Sequence, residues 1–393
     1  MTSITLNDGY TLDNIFTDYP TATTFIFNTG TYNMNQVLHI TKPNIQFIGS
    51  SGVPKDVHFM QLNTNMDGLA IKADGFVMSG ISIHNTYPGK IALTVANANN
   101  TNIHDCYIYG NSTTFSVYYA GKSVAQGPAT LLSYYNNNLD SGNIFNKNVV
   151  YTDYTGDSIA FCLQKYGKFT SNIIRGGKVA VYMCQYTKVK NNKLYSSSTA
   201  GIFVSLPSYK IKIKKNVIKS SDQSSILIRK QVEHGDFLVT SAKITIKNNK
   251  IYNAIGNGIE LNDCIDVYIT NNLIDEPTQY GLYALRCNNI TASFNNLREF
   301  KNSFWLESTS NCNIFMNQCF SMYPLESTNI VKIVNGSNNN KITNNVIKGQ
   351  FTVPFSDIIG VSSNSLNNVI NNNIFEKYLT YEEDLEYEQE DSY

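Results

Sequence analysis

Two stretches of the sequence decide the fold: "NGIELNDCIDVYITNNLI" at residues 257–274 and "YGLYALRCNNITASFNNL" at residues 280–297. They share few residues but have the same order of residue types: a small residue, alternating apolar residues, a cysteine, a second alternation and paired asparagines. Alternation with period two predicts β-strands, and the intervening segments rich in Asn, Gly and Asp predict turns. The chain therefore repeats a structural unit rather than a sequence.

The spacing of these units predicts the architecture. Cys264 and Cys287 are 23 residues apart, Cys162 and Cys184 are 22 apart, and no stretch shows a helical period. A propeller blade needs about 40 residues, so the unit is too short for one. Three short strands per unit predict a parallel β-helix, in which each strand pairs with its equivalent one coil along, about 4.8 Å away. Paired asparagines would stack as a ladder at one turn: Asn192, Asn216, Asn249, Asn272 and Asn296, with weaker repeats at Asn148, Asn172, Asn345 and Asn372.

The repeats resemble the right-handed parallel β-helix, or pectate-lyase-like, family. "GIELNDCIDVYITNNLI" matches the generic coil of that family, and "FIFNTGTYNMNQVLHITKPNIQFIGSSG" is similar to its entry segment. The resemblance implies an all-β, single-stranded right-handed parallel β-helix of about 12 to 13 coils with capped ends, at one coil per ~4.8 Å. We expect the β-helix to span residues 1–377, with residues 1–35 as an N-terminal cap. Residues 378–393 are predicted to form an acidic, disordered tail.

Composition limits the partners. The net charge is zero and charged residues make up 15% of the chain. The seven cysteines lack the close pairs of a zinc site, so we expect free, inward thiols, no metal and no cofactor. No apolar run of about 18 residues occurs, so no membrane partner is predicted. The start, "MTSITLNDGYTLDNIF", has no signal-peptide pattern, which predicts cytoplasmic synthesis, with assembly into a virion left open.

The outer face of the first sheet is the predicted binding groove, as the family resemblance implies. Ile259 and Leu261 are predicted to point inward, so Glu260 points outward. Outward aromatic residues in one column can stack on sugar rings. Burial under loops or a neighbouring subunit is the alternative. The predicted column is Ala160, Tyr182, Phe203, Leu227, Glu260, Tyr283 and Trp305, of which Tyr182, Phe203, Tyr283 and Trp305 are the predicted substrate-binding residues.

Charged residues around Glu260 are the predicted catalytic group. Two carboxyls about 5 to 10 Å apart suit a glycoside hydrolase. A base with neighbouring cations suits a lyase or an epimerase acting on uronic acids. The alternative is a structural, salt-bridged turn. The candidates are Glu260, Asp263, Asp236, His234, Arg229, Lys230 and Arg286.

The other sequence motifs give weaker evidence for a catalytic site. The motifs of polygalacturonases, pectate lyases and alginate epimerases are absent, so the resemblance implies no catalytic residue. Asp153 and Asp157 in "YTDYTGDSIAF" form a second carboxylate pair, for which turn formation is the alternative.

The middle of the chain contains a basic segment. Residues 186–250 contain 13 Lys and Arg against three acidic residues. A lysine row on one face suits an anionic polymer or serves solubility. Nucleic acid is disfavoured, because the aromatic column and the lysine row are predicted on different sheets. The row is predicted to contain Lys188, Lys190, Lys210, Lys212 and Lys214.

Two function classes follow from these patterns. The first is a polysaccharide-binding β-helix protein acting on an acidic glycan, with cleavage by a lyase, epimerase or glycosidase mechanism left open. The second is a non-enzymatic structural or adhesive component of a virion or surface, such as a spike, fibre or capsid-associated protein. A homo-oligomer, such as a trimer, remains open in both.

Overall fold

Each coil of the chain contributes one strand to each of three parallel sheets, as seen in a computed structural model. The structure describes residues 2–111, 115–122, 139–152, 157–230, 241–325, 330–351, 354 and 358–377. The strands wind as a right-handed β-helix of about 14 turns, which confirms the predicted all-β class. The coil count exceeds the expected 12 to 13 because residues 1–35 already contribute strands to two sheets.

We number the sheets by their order along one coil. Within the described ranges, sheet 1 has 13 strands: Leu38–Ile40, Leu69–Ile71, Leu93–Ala96, Phe115–Gly121, Asp157–Cys162, Lys178–Tyr182, Ile202–Leu206, Ile226–Lys230, Ile259–Asn262, Tyr280–Leu285, Asn302–Glu307, Val331–Val334 and Ile359–Val361. Sheet 2 has 15 strands in the same ranges: Ser3–Leu6, Thr24–Phe27, Gln46–Gly49, Val77–Ser79, Asn102–His104, Ile144–Asn146, Lys168–Thr170, Lys188–Lys190, Lys212–Lys214, Ile244–Lys247, Ile265–Thr270, Asn288–Ser293, Asn313–Phe315, Lys341–Thr343 and Val369–Asn371.

Sheet 3 completes each coil. Its 14 described strands are Gly30–Met34, Val57–Gln61, Ser82–Asn85, Tyr107–Gly110, Val149–Thr152, Ile173–Arg175, Lys193–Ser197, Val217–Ser221, Lys250–Ala254, Leu273–Asp275, Asn296–Arg298, Gln318–Leu325, Val346–Phe351 and Ile374–Lys377. A small parallel pair, Asp140–Ser141 with Gln164–Lys165, lies beside them. Every described strand pairing is parallel, so equivalent side chains of successive coils form columns along the rod.

A short helix packs against the first coils. The four-residue helix Ile15–Asp18 follows a 3₁₀ turn at Leu12–Asn14. Its Phe16 ring lies 5.7 Å from Phe25, edge to face, and 6.4 Å from Phe47. Because Leu12 and Ile15 are also fully buried, the helix is held by apolar contacts at the N-terminal end of the core. Another 3₁₀ turn lies at Pro54–Asp56.

A ladder of buried asparagines forms the turn between sheets 2 and 3. The Asn249 side chain donates to the Asn272 Oδ1 at 2.9 Å and to the Ile213 carbonyl at 3.0 Å. The Asn249 backbone N–H donates to the same Asn272 oxygen at 2.9 Å. Each buried amide thus satisfies the backbone of the coil before it and the side chain of its neighbours. The ladder residues are Asn148, Asn172, Asn192, Asn216, Asn249, Asn272, Asn295, Asn317, Asn345 and Asn373.

The sequence-based register was wrong at two rungs of this ladder. Asn295 and not Asn296 occupies one rung, and Asn373 and not Asn372 occupies another. Each rung follows a residue of positive φ, which is Asn271 before Asn272 but Phe294 before Asn295. Counting from paired asparagines therefore shifted the register by one. The inward side chain two residues after the rung, Leu297, decides the position, because it must reach the core.

The cysteines are free and buried, as predicted, but only six of the seven belong to the main core. All seven are free, and Cys264 and Cys287 contact each other in adjacent coils. Their sulfurs donate to backbone carbonyls of the preceding strands, at 3.3 Å for Cys264 to Asn262 and 3.2 Å for Cys287 to Leu285. In the following coil a hydroxyl side chain contacts this turn: the Cys287 backbone N–H donates to Thr309 Oγ1 at 3.1 Å.

Cys162 and Cys184 do not stack, in contrast to what their spacing indicated. Cys162 pairs in register with Tyr182 on sheet 1. Its side chain packs with Leu163 and Met183, apart from the main core that contains Cys184. The interval of 22 residues between Cys162 and Cys184 therefore resembles the 23 residues between Cys264 and Cys287 only by a coincidence of turn lengths.

We predict that Asn272→Ala destabilises the protein by about 2 kcal/mol or more, because it leaves buried partners in the coil before and in the coil after without hydrogen bonds. Urea unfolding followed by circular dichroism measures the effect. Asn296→Ala, which lies on the strand beside the ladder, is the matched control and should change stability by less than half as much. Equal losses for the two variants would contradict the observed register.

We predict that no cysteine of the native protein reacts within minutes with a thiol reagent, and that seven react after unfolding without reductant. Burial is the reason: it covers every thiol and raises the pKa of Cys106, for example, to about 12. Colorimetric thiol counting in native and denaturing buffer gives both values. Five or fewer thiols after unfolding would show a disulfide and reject the prediction.

Candidate functional site

The outer face of sheet 1 carries a column of residues in strict register, as predicted around Glu260. Ile259 and Leu261 are buried and Glu260 points outward between them. One member of the predicted column was wrong: Tyr182 pairs with Ser205, and Ala180 takes its place. The observed column is Tyr118, Ala160, Ala180, Phe203, Leu227, Glu260, Tyr283, Trp305, Lys332 and Gly360.

The first half of this column is a buried apolar cluster. Phe203 is 3% exposed and Leu227 is 6% exposed, although both lie on the outer face of the sheet. The Arg229 guanidinium lies 5.5 Å from the Phe203 ring centroid, and the Tyr182 ring lies 5.6 Å away. Phe203 therefore packs within this cluster with a cation over its face, and its predicted contact with a substrate stays a prediction.

Glu260 marks the change from apolar to polar. Its carboxylate accepts hydrogen bonds from the Asn262 side chain at 2.8 Å and the Asn257 side chain at 2.9 Å, and also from the Ser224 hydroxyl. Three donors from two coils hold the carboxylate in one orientation. The side-chain oxygen of Asn262, in contrast, is buried and has no hydrogen-bond partner in the part of the chain that the structure describes.

Tyr283 lies between Glu260 and a second carboxylate, Glu307. Its hydroxyl donates to Glu307 at 2.9 Å, and the Asn335 side chain donates to the other oxygen of Glu307 at 2.9 Å. Burial, followed by the hydrogen bond to Glu307 and the charges of both glutamates, raises the pKa of Tyr283 above its usual range. The phenol is thus a neutral donor at physiological pH.

Sequence reasoning missed Glu307. It lies two residues after Trp305, so period-two alternation places both side chains on the same outer face. Applying the alternation along each strand, and not only across coils, would have found it. Tyr280 lies three residues before Tyr283, so strict alternation would have placed it inward, and only the irregular start of its strand brings it to the outer face.

Trp305 is held between neighbours from adjacent coils. The Tyr280 ring centroid lies 4.8 Å from the Trp305 ring and is tilted by 58°. The Lys332 ammonium lies 4.5 Å from the Trp305 ring centroid. Part of the indole face is therefore occupied by a cation. The indole N–H is buried and has no hydrogen-bond partner among the described residues.

Two of the remaining charged candidates, Asp263 and Arg286, lie at a turn at the edge of this face. The Arg286 guanidinium binds both oxygens of Asp263, at 2.7 Å and 3.0 Å, across adjacent coils. Asp263 and Arg286 occupy the same positive-φ turn position. The geometry is that of a structural pair, which was the alternative stated for these residues. Arg229 is exposed and Lys230 half-buried on the strand Ile226–Lys230.

Several candidates lie outside the described residues. His234 and Asp236, both predicted to lean over the groove, belong to residues 231–240. Asp153 lies outside as well, and Asp157 is described only as the first residue of its strand. The predicted roles of these four residues stay predictions.

The predicted lysine row lies on sheet 2 with one exception. Lys188 and Lys212 are in register, as are Lys190 and Lys214. Lys210 lies outside the strands, at a turn, with its ammonium 5.1 Å from the Tyr186 ring centroid and 5.2 Å from the Tyr209 ring centroid. The assignment of Lys210 to the row was wrong because the turn residue has positive φ and breaks the alternation.

Comparison with known families gives two matches. The family model described as "Right handed beta helix region" matches residues 235–378, and that described as "Periplasmic copper-binding protein (NosD)" matches residues 130–283. No curated protein sequence matches the chain. The described ranges contain no group of three or more His, Cys, Asp or Glu side chains that could hold a metal ion. Nor do these ranges contain a helix with the length and hydropathy of a membrane span.

Solved structures share the architecture. The A-module of mannuronan C-5 epimerase AlgE6 from Azotobacter vinelandii superposes with a TM-score of 0.64 at 12% identity, over 94% of this chain and 96% of that chain. The AlgE4 A-module from the same organism gives 0.50 at 12% identity, over 95% and 96%. A variant catalytic domain of GH87 alpha-1,3-glucanase in complex with nigerose gives 0.53 at 13% identity, over 96% of this chain and 66% of that chain. At these identities the similarity shows the fold.

Proposed function

Since the chain is a right-handed parallel β-helix repeat protein, we propose that it binds a linear acidic polysaccharide along the outer face of sheet 1. The observation that carries the proposal is a pair of buried, unpartnered polar atoms, the Trp305 indole N–H and the Asn262 side-chain oxygen. They lie on the part of the sheet where Glu260, Tyr283 and Glu307 converge. A buried donor and a buried acceptor each lose free energy unless a ligand pairs them, and sugar hydroxyls do both.

A column of side chains suits a linear polymer. Glu260, Tyr283 and Trp305 repeat at the coil spacing of about 4.8 Å, so a chain lying along the rod meets a new side chain at each coil. The apolar cluster at Phe203 and Leu227 lies at one end of this polar segment. Binding is therefore concentrated on the strands from Ile259–Asn262 to Val331–Val334.

The cation at the far end favours an acidic glycan. Lys332 lies in the same column as Trp305 and has its ammonium against the indole. A sugar carboxylate beside Trp305 would pair with this ammonium while the ring packs against the indole. The epimerases similar in fold are named for mannuronan, which agrees with this ligand class.

Cleavage or epimerisation is a further part of the proposal. Two coils separate Glu260 from Glu307, about 10 Å along the rod axis. That axial separation is slightly above the range of about 6.5 to 9.5 Å for the two carboxyls of an inverting glycosidase and well beyond the spacing of about 5 Å in a retaining one. Tyr283, between them, donates its hydroxyl proton in a hydrogen bond to Glu307 and so orients that carboxylate. Of the sequence candidates, Glu260 is the one whose surroundings support a catalytic role.

The second candidate function is a structural or adhesive component of a virion or surface, assembled as a homo-oligomer such as a trimer. The observation that favours it is the last coil, which exposes apolar side chains. An apolar surface at the end of a stack of strands invites pairing with another chain. Light scattering of the purified chain tests this candidate: a stable trimer supports it and a monomer contradicts it. The exposed residues are Val361, Leu366, Val369, Ile370 and Ile374.

We predict that Trp305→Ala weakens binding of an acidic glycan by about 1 to 3 kcal/mol, because it removes a large apolar contact and the unpartnered indole donor. A glycan array identifies the ligand, and titration calorimetry measures the change in affinity. Phe294→Ala removes an aromatic side chain that is 53% exposed at the turn between sheets 2 and 3, so it is the control and should bind normally. Unchanged glycan affinity in Trp305→Ala would show that the binding site does not lie at this part of sheet 1.

If the Glu260 carboxylate transfers a proton, we predict that Glu260→Gln lowers the turnover rate by a factor of about 10² or more and leaves glycan binding intact. The variant should fold, because the Asn262 amide can rotate and accept from the new NH₂ with its unpartnered oxygen. Product analysis on each glycan that binds, by mass spectrometry, measures turnover. Wild-type protein without turnover on any bound glycan would make this a binding protein, and an active Glu260→Gln would assign the chemistry elsewhere.

A further inference from the structure

Sheets 2 and 3 carry a continuous basic surface that the sheet 1 site does not use. On sheet 2, successive coils place exposed lysines directly beside each other in one column, and half-buried lysines in the next. The first column is Lys168, Lys188 and Lys212, and the second is Lys190, Lys214 and Lys247.

Sheet 3 continues this surface with alternating rings and cations. The Tyr109 and Tyr151 ring centroids are 5.2 Å apart with nearly parallel planes, and His84 stacks on Tyr109 at 4.4 Å. The Arg175 guanidinium lies 5.9 Å from the Tyr151 ring centroid and 5.3 Å from that of Tyr195. The register column is His84, Tyr109, Tyr151, Arg175, Tyr195, Lys219 and Tyr252.

The two faces meet at the asparagine-ladder turn. Lys190, Lys214 and Lys247 end their strands on sheet 2, and Lys193 and Lys250 begin the next strands on sheet 3. The corner is therefore lined with cations on both sides. No Asp or Glu occurs in the eight strands that sheets 2 and 3 contribute from Lys168–Thr170 to Lys250–Ala254. The ion pairs described elsewhere, such as Arg286 with Asp263, involve none of these lysines.

Repulsion within the surface is visible in its electrostatics. Burial, followed by the charges of Lys212, Lys247, Lys190 and Lys188, lowers the pKa of Lys214. His84 adds no charge at neutral pH, since burial and the neighbouring His58 lower its pKa to about 4. A surface of like charges gains free energy when a polyanion lies on it.

The ring geometry selects the kind of polyanion. Tyr109 and Tyr151 have their faces covered by partners from the coil before and the coil after, and both side chains are half-buried, so only their edges remain for a ligand. Nucleic acid bases need free aromatic faces for stacking, which these rings do not offer. What the surface offers is rows of hydroxyls and cations at the coil spacing of about 4.8 Å.

We infer that the outer face of sheet 2, from the strand Lys168–Thr170 to the strand Ile244–Lys247, and the outer face of sheet 3, from the strand Tyr107–Gly110 to the strand Lys250–Ala254, form a second binding surface for a carboxylated or sulfated polysaccharide. The polymer lies parallel to the rod axis and meets a new set of cations at each coil, so one acidic group per sugar finds a partner in each coil. Tyrosine hydroxyls pair with the sugar hydroxyls between the acidic groups. This surface is separate from the sheet 1 site and does not depend on it.

The experiment uses the full chain with Trp305→Ala, so that sheet 1 contributes little. Polygalacturonate is the acidic probe, neutral dextran of the same length is its control, and poly(dT) represents single-stranded nucleic acid. Titration calorimetry at several salt concentrations measures each affinity. We expect polygalacturonate to bind, with an affinity that falls steeply as salt rises, and dextran not to bind.

The matched variants are Lys188→Gln with Lys212→Gln, and, as control, Lys72→Gln with Lys341→Gln. Both pairs remove two exposed lysines, but the control pair lies outside the basic surface. We expect the first pair to weaken polygalacturonate binding about tenfold or more and to reduce its salt dependence, and the control pair to leave both unchanged. Thermal melting verifies that both variants fold.

Three results would overturn the inference. Equal loss in the two double variants would mean that only net charge matters. Salt-independent or absent binding of polygalacturonate would remove the surface as a binding site. Tighter binding of poly(dT) than of polygalacturonate would make it a nucleic acid surface. If Trp305→Ala alone binds like the wild type while Lys188→Gln with Lys212→Gln does not, the sheet 1 proposal fails and this one stands.

Discussion

The buried amide ladder between sheets 2 and 3 is the interaction on which the rest of the structure depends. Each ladder asparagine bonds to the backbone of the coil before it and to the asparagine of the coil after it. A slip of one residue would leave these amides unpaired in the core and turn every inward side chain outward. The ladder therefore sets the register of all three sheets, and the register decides which side chains share a column. Each outward column is a consequence of pairing inside the rod.

Because outward side chains of successive coils align in columns, the same backbone presents a different surface on each sheet. On sheet 1 the column passes from a buried apolar segment at Phe203 to hydrogen-bonded carboxylates around Tyr283 and then to Trp305 and Lys332. On sheets 2 and 3 the same spacing lines up lysines and stacked tyrosines. The backbone is equivalent in both places, and only the outward residue differs from coil to coil. Binding along such a surface is additive over coils, which suits long polymers.

The two binding surfaces that we propose differ in their charge. The sheet 1 face holds carboxylates in fixed orientations and has one cation, Lys332, in its column. That balance suits selective contacts with one or two sugars. The basic surface has many cations and no acidic residue in its strands, which favours loose, salt-dependent attachment over a long stretch. A protein with both could hold a polymer on one side while its short site contacts individual sugars on another.

The sequence alone predicted the β-helix, because alternation and turn residues are local signals that each coil carries for itself. It also predicted inward Ile259 and Leu261, outward Glu260, the rungs Asn249 and Asn272, and buried free thiols. It did not predict the rung at Asn295, the place of Ala180 instead of Tyr182, or the tyrosine–cation column of sheet 3. Those depend on how residues 20 to 40 positions apart align, and variable turn lengths hide that alignment in the sequence. The burial of Phe203 and the pairing of Tyr283 with Glu307 likewise came only from the tertiary structure, because they are contacts between coils and not patterns within one.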